Sequence, residues 1–451
     1  MMNILALLQC VTPSLAATKT KQLSRIIRAM LVMTGRVTML GIARWTEKGG
    51  SYRSVQRFYA AVIPWANLYW VFFREQLWHP GDTYLLVGDE TVVTKAGKHT
   101  HGLDRFFSSL YGKAIPGLSF FALSLVSVQE RHAYPISVEQ IVRDEAEKVA
   151  SKAKAEAKKK GAGSAKGKRG RPKGSKNKNK AEVVLSPELI RIKNMVIGLL
   201  QRIAGCLSLN YLVMDGHFGN NNALVMTRST GLHLISKLRC DSKLYLPYEA
   251  PHTGPGAPRQ YGDRLVYRAL PAQYLKSTVV KHNIKTDIYQ MKLLHKDFCQ
   301  ALNVVIIVKT NQRTGACAHV CLFSSDLDLA YEKLIDDYSL RFQIEFNFRD
   351  AKQFWGLEDF MNITPTAVTN AASLSLFMVN FSHRLLRSFR QTDETDSSIL
   401  DLKAFCRGLK YVEETLQMLP QMPEPILFTE ILSNVTRLGR IHPVHTQAMS
   451  P

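Results

Sequence analysis

Apolar side chains at Tyr52, Val55 and Tyr59 recur at the i, i+3, i+7 spacing of one helix face, while Arg53, Gln56 and Arg57 fall elsewhere. The pair Gly49-Gly50 breaks the chain before this segment, and two shorter helices are predicted ahead of it, one starting near Ser24 and one over about 38–45. From residue 83 the period changes to that of strands, first over 84–93 and then over 117–128, both rich in β-branched, aromatic and Leu residues. Ser186-Pro187-Glu188 is a helix start, with Ser as N-cap and Pro in the first turn, for a helix running to about Ile203. A buried strand over 210–214 follows. Residues 231–325 are strand-rich with Gly- and Pro-punctuated loops near 251–262, one long helix is predicted over about 328–353, and helical periodicity returns over 371–386 and 399–416.

Charge changes this picture. The chain has 451 residues and carries 59 Lys and Arg against 37 Asp and Glu, a surplus of 22 that favours polyanionic partners. Residues 148–180 alone hold 12 Lys and 2 Arg against one acid, Glu156, with almost nothing to bury, so 144–182 reads as a disordered basic insertion between strands of one sheet. No apolar run reaches 18 residues, which argues against a membrane span. The opening 17 residues lack a cation ahead of their apolar stretch, so export is not expected. Seven scattered cysteines suit a reducing cytosol, and Cys317, His319 and Cys321 read as a strand with buried thiols, not as a metal site.

Three acids have the placement of a metal-dependent phosphoryl-transfer site. Asp89 ends the apolar run from Tyr84, Asp215 ends the run from Tyr211, and glycines beside both permit close approach. Glu345 lies in the long predicted helix. Two divalent ions held by carboxylates from two strands and a helix could activate a nucleophilic oxygen and stabilise the departing one. An apolar strand ending in Asp is also an ordinary turn or helix cap, so the helix adds most of the specificity. At about 100° per residue, Tyr338, Arg341, Glu345 and Lys352 fall within a stripe about 60° wide. That stripe aligns one metal ligand with a phenol, a guanidinium and an ammonium, all suited to phosphate. A solvated helix with salt bridges is the competing reading.

The spacing Tyr338-x2-Arg341-x3-Glu345-x6-Lys352 resembles the YREK signature of bacterial insertion-sequence DDE transposases, and Asp89-Glu90-Thr91 and Asp215-Gly216-His217-Phe218 resemble that group's first- and second-acid motifs. The resemblance covers roughly residues 20–385. It implies an α/β fold: a ribonuclease-H-like mixed-sheet core with a β-rich insertion, a helical N-terminal DNA-binding region and a helical C-terminal region. The corresponding divisions are 1–78 for the N-terminal helices, 79–230 for the first part of the core, 231–325 for the insertion, 326–385 for the catalytic helix and end of the core, and 386–451 for the C-terminal helices. It also implies two Mg2+ or Mn2+ ions on Asp89, Asp215 and Glu345, cleavage at terminal inverted repeats, and strand transfer into target DNA by a homodimer in the bacterial cytoplasm, at the nucleoid when bound. In the group's best-known members a Trp of the insertion holds a flipped base. This chain has no Trp between 79 and 354, leaving Trp355, Tyr267 or Tyr289 as substitutes. Arg53 and Arg57 would lie on a recognition helix, and Arg169 and Arg171, in a segment resembling the AT-hook core Arg-Gly-Arg-Pro, would enter a narrow minor groove. A solvated helical bundle and a polybasic linker are the plainer readings of those two regions. A non-catalytic basic DNA-binding protein, an inactive transposase copy and a nuclease that does not transpose are the rival functions.

Overall fold

The structure, a computed structural model, describes residues 3–46, 50–108, 111–145, 179–249, 258–393 and 396–442, together with positions 147, 149 and 251. Arg169 and Arg171 lie outside the described residues, as does most of the basic insertion.

Five helices open the chain: α1 (Ile4–Leu7), α2 (Ala17–Val32), α3 (Met39–Trp45), α4 (Tyr52–Tyr59) and α5 (Trp65–Gln76). Side-chain caps set three of their starts, Asn3 Oδ1 accepting from the Ala6 amide at 2.9 Å, Thr38 Oγ1 from the Gly41 amide at 3.0 Å and Ser51 Oγ from the Ser54 amide at 3.4 Å. The second predicted helix matches α3, whereas α2 begins well before Ser24. The buried face of α4 is Val55, Phe58 and Tyr59; Tyr52, expected on that face, is 42% exposed. Residue 52 is the first residue of the helix.

The core is one 12-stranded mixed sheet. Within it β1 (Tyr84–Thr94) is antiparallel to β3 (Lys113–Ser127) and parallel to β5 (Tyr211–Met214). Tyr84–Gly88 are all buried, as a strand covered on both faces requires. Two strands absent from the sequence reading, β2 (Asp104–Ser108) and β4 (His132–Ile141), pair with β3. Helix α6 (Pro187–Ile203) starts as expected, with Ser186 Oγ accepting from the Leu189 amide. Beyond β5 come α7 (Asn221–Arg228) and β6 (His233–Leu238), the latter parallel to β5.

The following strands are β7 (Leu244–Pro247), β8 (Tyr261–Arg264), β9 (Leu275–Lys281), β10 (Ile284–His295), β11 (Leu302–Asn311) and β12 (Cys317–Ser324). Because β12 is antiparallel to β6, they extend the same sheet in the order β1-β5-β6-β12-β11-β10. Cys321 is buried in β12, but Cys317 is exposed, which corrects the expectation that both thiols are buried; the strand's first half has no layer over it.

The long helix expected over 328–353 is two, α8 (Tyr331–Leu340) and α9 (Gln343–Gln353). At the joint, the amides of Arg341, Phe342, Ile344 and Glu345 bond three residues back, at 3.1–3.2 Å, and the tightened turn swings Phe342 out to 49% exposure. The apolar period runs through the joint in Leu340, Ile344 and Phe348, which is why it reads as unbroken.

Helices α10 (Pro365–Asp393), α11 (Ile399–Leu416) and α12 (Pro425–Arg437) complete the described chain. The N-terminal helices are built onto them. Trp65 Nε1 donates to Asn370 Oδ1 at 2.7 Å, Tyr69 OH to the Ser373 carbonyl at 2.6 Å, and the Phe72 ring stacks on Phe381 at 5.4 Å. Lys403 Nζ and Arg407 Nε donate to the Met30 and Val32 carbonyls that end α2.

The fully buried Asp401 ties α11 to the segment after α12, accepting from the Ser398 amide and hydroxyl, the amides of Ile441 and His442, and His442 Nδ1. Burial opposes its charge, but the bonds from Ser398 and His442 prevail and hold the carboxyl far below its usual range. This contribution is in place above the unfolded value of about 4 and is lost as pH falls below it. Asp401→Ala leaves several part-buried donors without their acceptor and is expected to cost about 2 kcal/mol, read as a lower urea midpoint at pH 7. A midpoint within error of the parent would refute this.

Candidate active site

Parallel pairing of Gly88 with Met214 puts the next two residues side by side, Asp89 in the middle of β1 and Asp215 just past the end of β5. Gly88 has no room for a side chain, since a Cβ there would lie 2.7 Å from the Phe121 ring. Around Asp215 it is Gly219, not the adjacent Gly216, that close approach demands. A Cβ on Gly219 would fall 2.1 Å from the Lys237 carbonyl, whereas one on Gly216 would make ordinary contact.

Each acid is held locally. Asp215 Oδ1 accepts from the His217 amide at 3.1 Å, and the Asp215 carbonyl accepts from Ser236 Oγ at 2.7 Å. Asp89 Oδ1 accepts from the Glu90 amide at 2.8 Å. Its Oδ2 accepts from Arg341 at 2.6 Å, and the same guanidinium donates to Glu345 Oε1 at 3.0 Å. Arg341 stands at the joint between α8 and α9, so the break in the helix aims the bridge. Burial pushes Asp89 up to about 6; Arg341 and the Glu90 amide oppose this, and the charges of Asp215 and Glu345 add to it.

Asp89, Asp215, Arg341, Glu345 and Lys352 line one cavity of about 1010 Å³. Lys352 Nζ donates to the Val92 carbonyl at 2.9 Å and stands 3.4 Å from Glu358. Tyr338 is half-buried outside that lining, within the electrostatic reach of Arg341, Asp215 and Asp89; burial raises its phenol. Arg53 and Arg57 are exposed on α4 and do not enter the cavity.

Sequence reasoning missed a second group lining the cavity: Glu90, Glu188 and His217, with Arg143 and Arg191. Glu90 accepts a short hydrogen bond from Ser119 Oγ, and His217 Nε2 is 3.7 Å from Glu188. That pairing raises the imidazole and lowers the carboxyl. Their spacing, across α6 and the turn after β5, has no periodic signature.

Of the three candidate base-holding aromatics, Trp355 is fully buried with Lys403 over its ring, which removes it. Tyr267 is already stacked on His319 at 4.4 Å and donates to the Ser242 carbonyl. Tyr289, on β10, keeps partial exposure.

Among the described residues, no three acidic, His or Cys groups are close enough to hold a metal ion as they stand. The Arg341 guanidinium lies between two of the candidate ligands, a cation where a cation is wanted. The donor set is nevertheless all carboxylate, the chemistry of hard divalent ions.

A mixed sheet whose adjacent parallel strands carry one acid in the middle of β1 and one just past the end of β5, facing a helix-borne Glu, defines a ribonuclease-H-like nuclease fold. The family model for DDE superfamily endonucleases matches residues 6–296, roughly two thirds of the chain, and the protein belongs to that family. The match includes Asp89 and Asp215 and ends before Glu345. No curated protein matches the chain. The family implies a DNA substrate, and among the described residues no helix is long and apolar enough to cross a membrane.

Proposed function

We propose that this DDE endonuclease is the transposase of a bacterial insertion sequence of the YREK group, cutting at the element's terminal inverted repeats and joining the freed 3′-hydroxyls to target DNA. The observation that carries the reading is the bridge from Arg341 to both Asp89 and Glu345, which brings together first-strand acid, helical acid and signature arginine. Asp89, Asp215 and Glu345 would hold two Mg2+ or Mn2+ ions. Bound there, the ions supply Lewis acidity for an attacking water and then for a 3′-hydroxyl. The chain's own part is positioning. Arg341 and Lys352 offer donors to phosphates flanking the cut, and Tyr338 supports Arg341 from behind. The protein would act at the nucleoid in the cytoplasm, as a dimer that holds two ends.

The direct test is purified protein with linear DNA carrying the element ends, with and without Mg2+, resolved on denaturing gels. Mg2+-dependent nicks at the ends followed by joined products support a transposase. Nicks without joining would make the chain a simple nuclease, and binding without nicks a DNA-binding protein or inactive copy.

Two DNA-contacting regions follow from the same reading. Arg53→Ala with Arg57→Ala is expected to weaken binding to element ends more than to random duplex, because a recognition helix reads base edges. Deleting 148–180 is expected to weaken binding to both and to flatten its salt dependence. Equal losses on both DNAs from the arginine pair would remove the recognition helix, and an unchanged salt slope would make the tract a linker.

A further inference from the structure

Ser127 pairs with His132, so the loop joining β3 to β4 is residues 128–131. Its last residue, Arg131, has φ 51°, in the left-handed region where a side chain is strained and glycine is not. Among the described residues the other non-glycines with positive φ are His282 and Asn283, the two-residue tip of the β9–β10 hairpin, where the tight turn itself requires it. Glycine at 131 would relieve the strain but would lack the guanidinium. Arg131 Nη1 donates to Asp336 Oδ1 at 2.8 Å, and Nη2 donates to Ser339 Oγ at 3.3 Å. Ser339 Oγ in turn donates to the Asp336 carbonyl at 2.7 Å, so one cation holds the last turn of α8. That turn leads straight into the joint. The Ser339 carbonyl accepts from the Phe342 amide at 3.2 Å, and the Tyr338 carbonyl accepts from the Arg341 amide at 3.2 Å.

The loop is fixed to the rest of the core. The Glu130 amide donates to Ser127 Oγ at 2.8 Å, and the Glu130 carboxylate accepts a short hydrogen bond from Tyr134 OH. The same carboxylate stands 3.2 Å from His79 Nε2 and 3.3 Å from Arg387 of α10. We propose that Arg131 is a positioning residue for the active centre: it clamps the end of α8 to the β3–β4 loop and so fixes the joint from which Arg341 reaches Asp89 and Glu345. Arg131 does not line the cavity, so its action runs through Arg341. An exposed ion pair adds little to global stability, whereas backbone strain is kept where the surroundings hold a residue to a local task. The inference rests on the proposed function only for the metal that Arg341 faces.

Arg131→Gly removes strain and guanidinium together, and Arg131→Lys keeps the charge. Hydrogen exchange of the joint, followed on peptides over 338–348, is expected to quicken about two- to fivefold in Arg131→Gly, the range for losing one exposed ion pair. Peptides over 119–127 should keep the parental rate, and Arg131→Lys should fall between Arg131→Gly and the parent. Mn2+ affinity, read from the free-ion paramagnetic signal, should shift about two- to fivefold in the same sense as in Arg341→Ala. That shift should vanish when Arg131→Gly is placed in the Arg341→Ala background, as it must for a residue that acts through another. A parental exchange rate at the joint overturns the inference. So does faster exchange spread equally over β3, which would make the pair an ordinary surface tie, or a Mn2+ shift that survives in the Arg341→Ala background. Failure of the active-site reading looks different: no variant binds Mn2+, while the joint still exchanges faster in Arg131→Gly, which leaves the clamp in place and removes the metal.

Discussion

Asp89→Asn, Asp215→Asn and Glu345→Gln are each expected to lower DNA cleavage by on the order of 10³-fold or more while leaving DNA affinity within a few-fold. Metal-assisted stabilisation of the reacting oxygens is worth several kcal/mol, and each ~1.4 kcal/mol is a factor of ten in rate. The changes keep side-chain volume, and the folded chain tolerates them because all three acids sit at the rim of the core. Glu90→Gln is the internal control. Glu90 lines the same cavity but points to the other face of β1, toward Glu188 and His217, so its loss should cost less than tenfold. Single-turnover cleavage of an end-labelled duplex separates these cases. Near-parental cleavage by any one of the three would remove that residue from the site, and a Glu90 effect as large as the others would move the centre to the opposite face.

Arg341→Ala is expected to change two observables in opposite directions. The guanidinium bridges two of the three candidate ligands, so an incoming divalent ion must displace it. Removing it should tighten Mn2+ binding about tenfold, the equivalent of ~1.4 kcal/mol of competing ion pair, measured by the free Mn2+ signal in paramagnetic resonance. The same variant should join cut ends some ten- to hundredfold more slowly, because a charge-assisted phosphate contact worth ~1.5–3 kcal/mol is gone. Lys352→Ala provides the contrast. Lys352 donates to the Val92 carbonyl and touches none of the three acids, so it should slow joining without altering Mn2+ affinity. Weaker Mn2+ binding in Arg341→Ala would show that the guanidinium shapes the ligand set and does not compete for it.

Much of this site can be read from residue order. The apolar runs before Asp89 and Asp215 are covered strands whose pairing puts the two acids side by side, although β1 continues past Asp89 to Thr94. The stripe of Tyr338, Arg341, Glu345 and Lys352 assumes one straight helix, and the joint at Arg341 changes its members' roles. Arg341 turns inward to the carboxylates, Lys352 reaches back to β1, and Tyr338 falls behind the cavity. Nothing in the apolar period signals the joint, because core contacts are kept on both sides of it. The strands β2 and β4 escape sequence reasoning for different reasons. Asp104–Ser108 buries only Phe106 fully, and His132–Ile141 contains Pro135 opposite a register shift at Leu123/Ser124, where alternation is lost. The Glu90, Glu188 and His217 group draws on three separate elements and exists only once the chain is folded.

The interlock between the first helices and the last ones sets a clock on synthesis. Trp65 and Tyr69 find their hydrogen-bond partners some 300 residues later in the chain. At about 5–20 residues per second, a ribosome takes roughly 15–60 s to deliver them. For that interval the aromatic faces of α5 have no α10 to cover them, and α2 lacks the Lys403 and Arg407 contacts at its carbonyl end. A nascent chain therefore cannot present its N-terminal helices in their final arrangement until most of α11 has emerged. Premature termination yields a fragment with an unfinished front end.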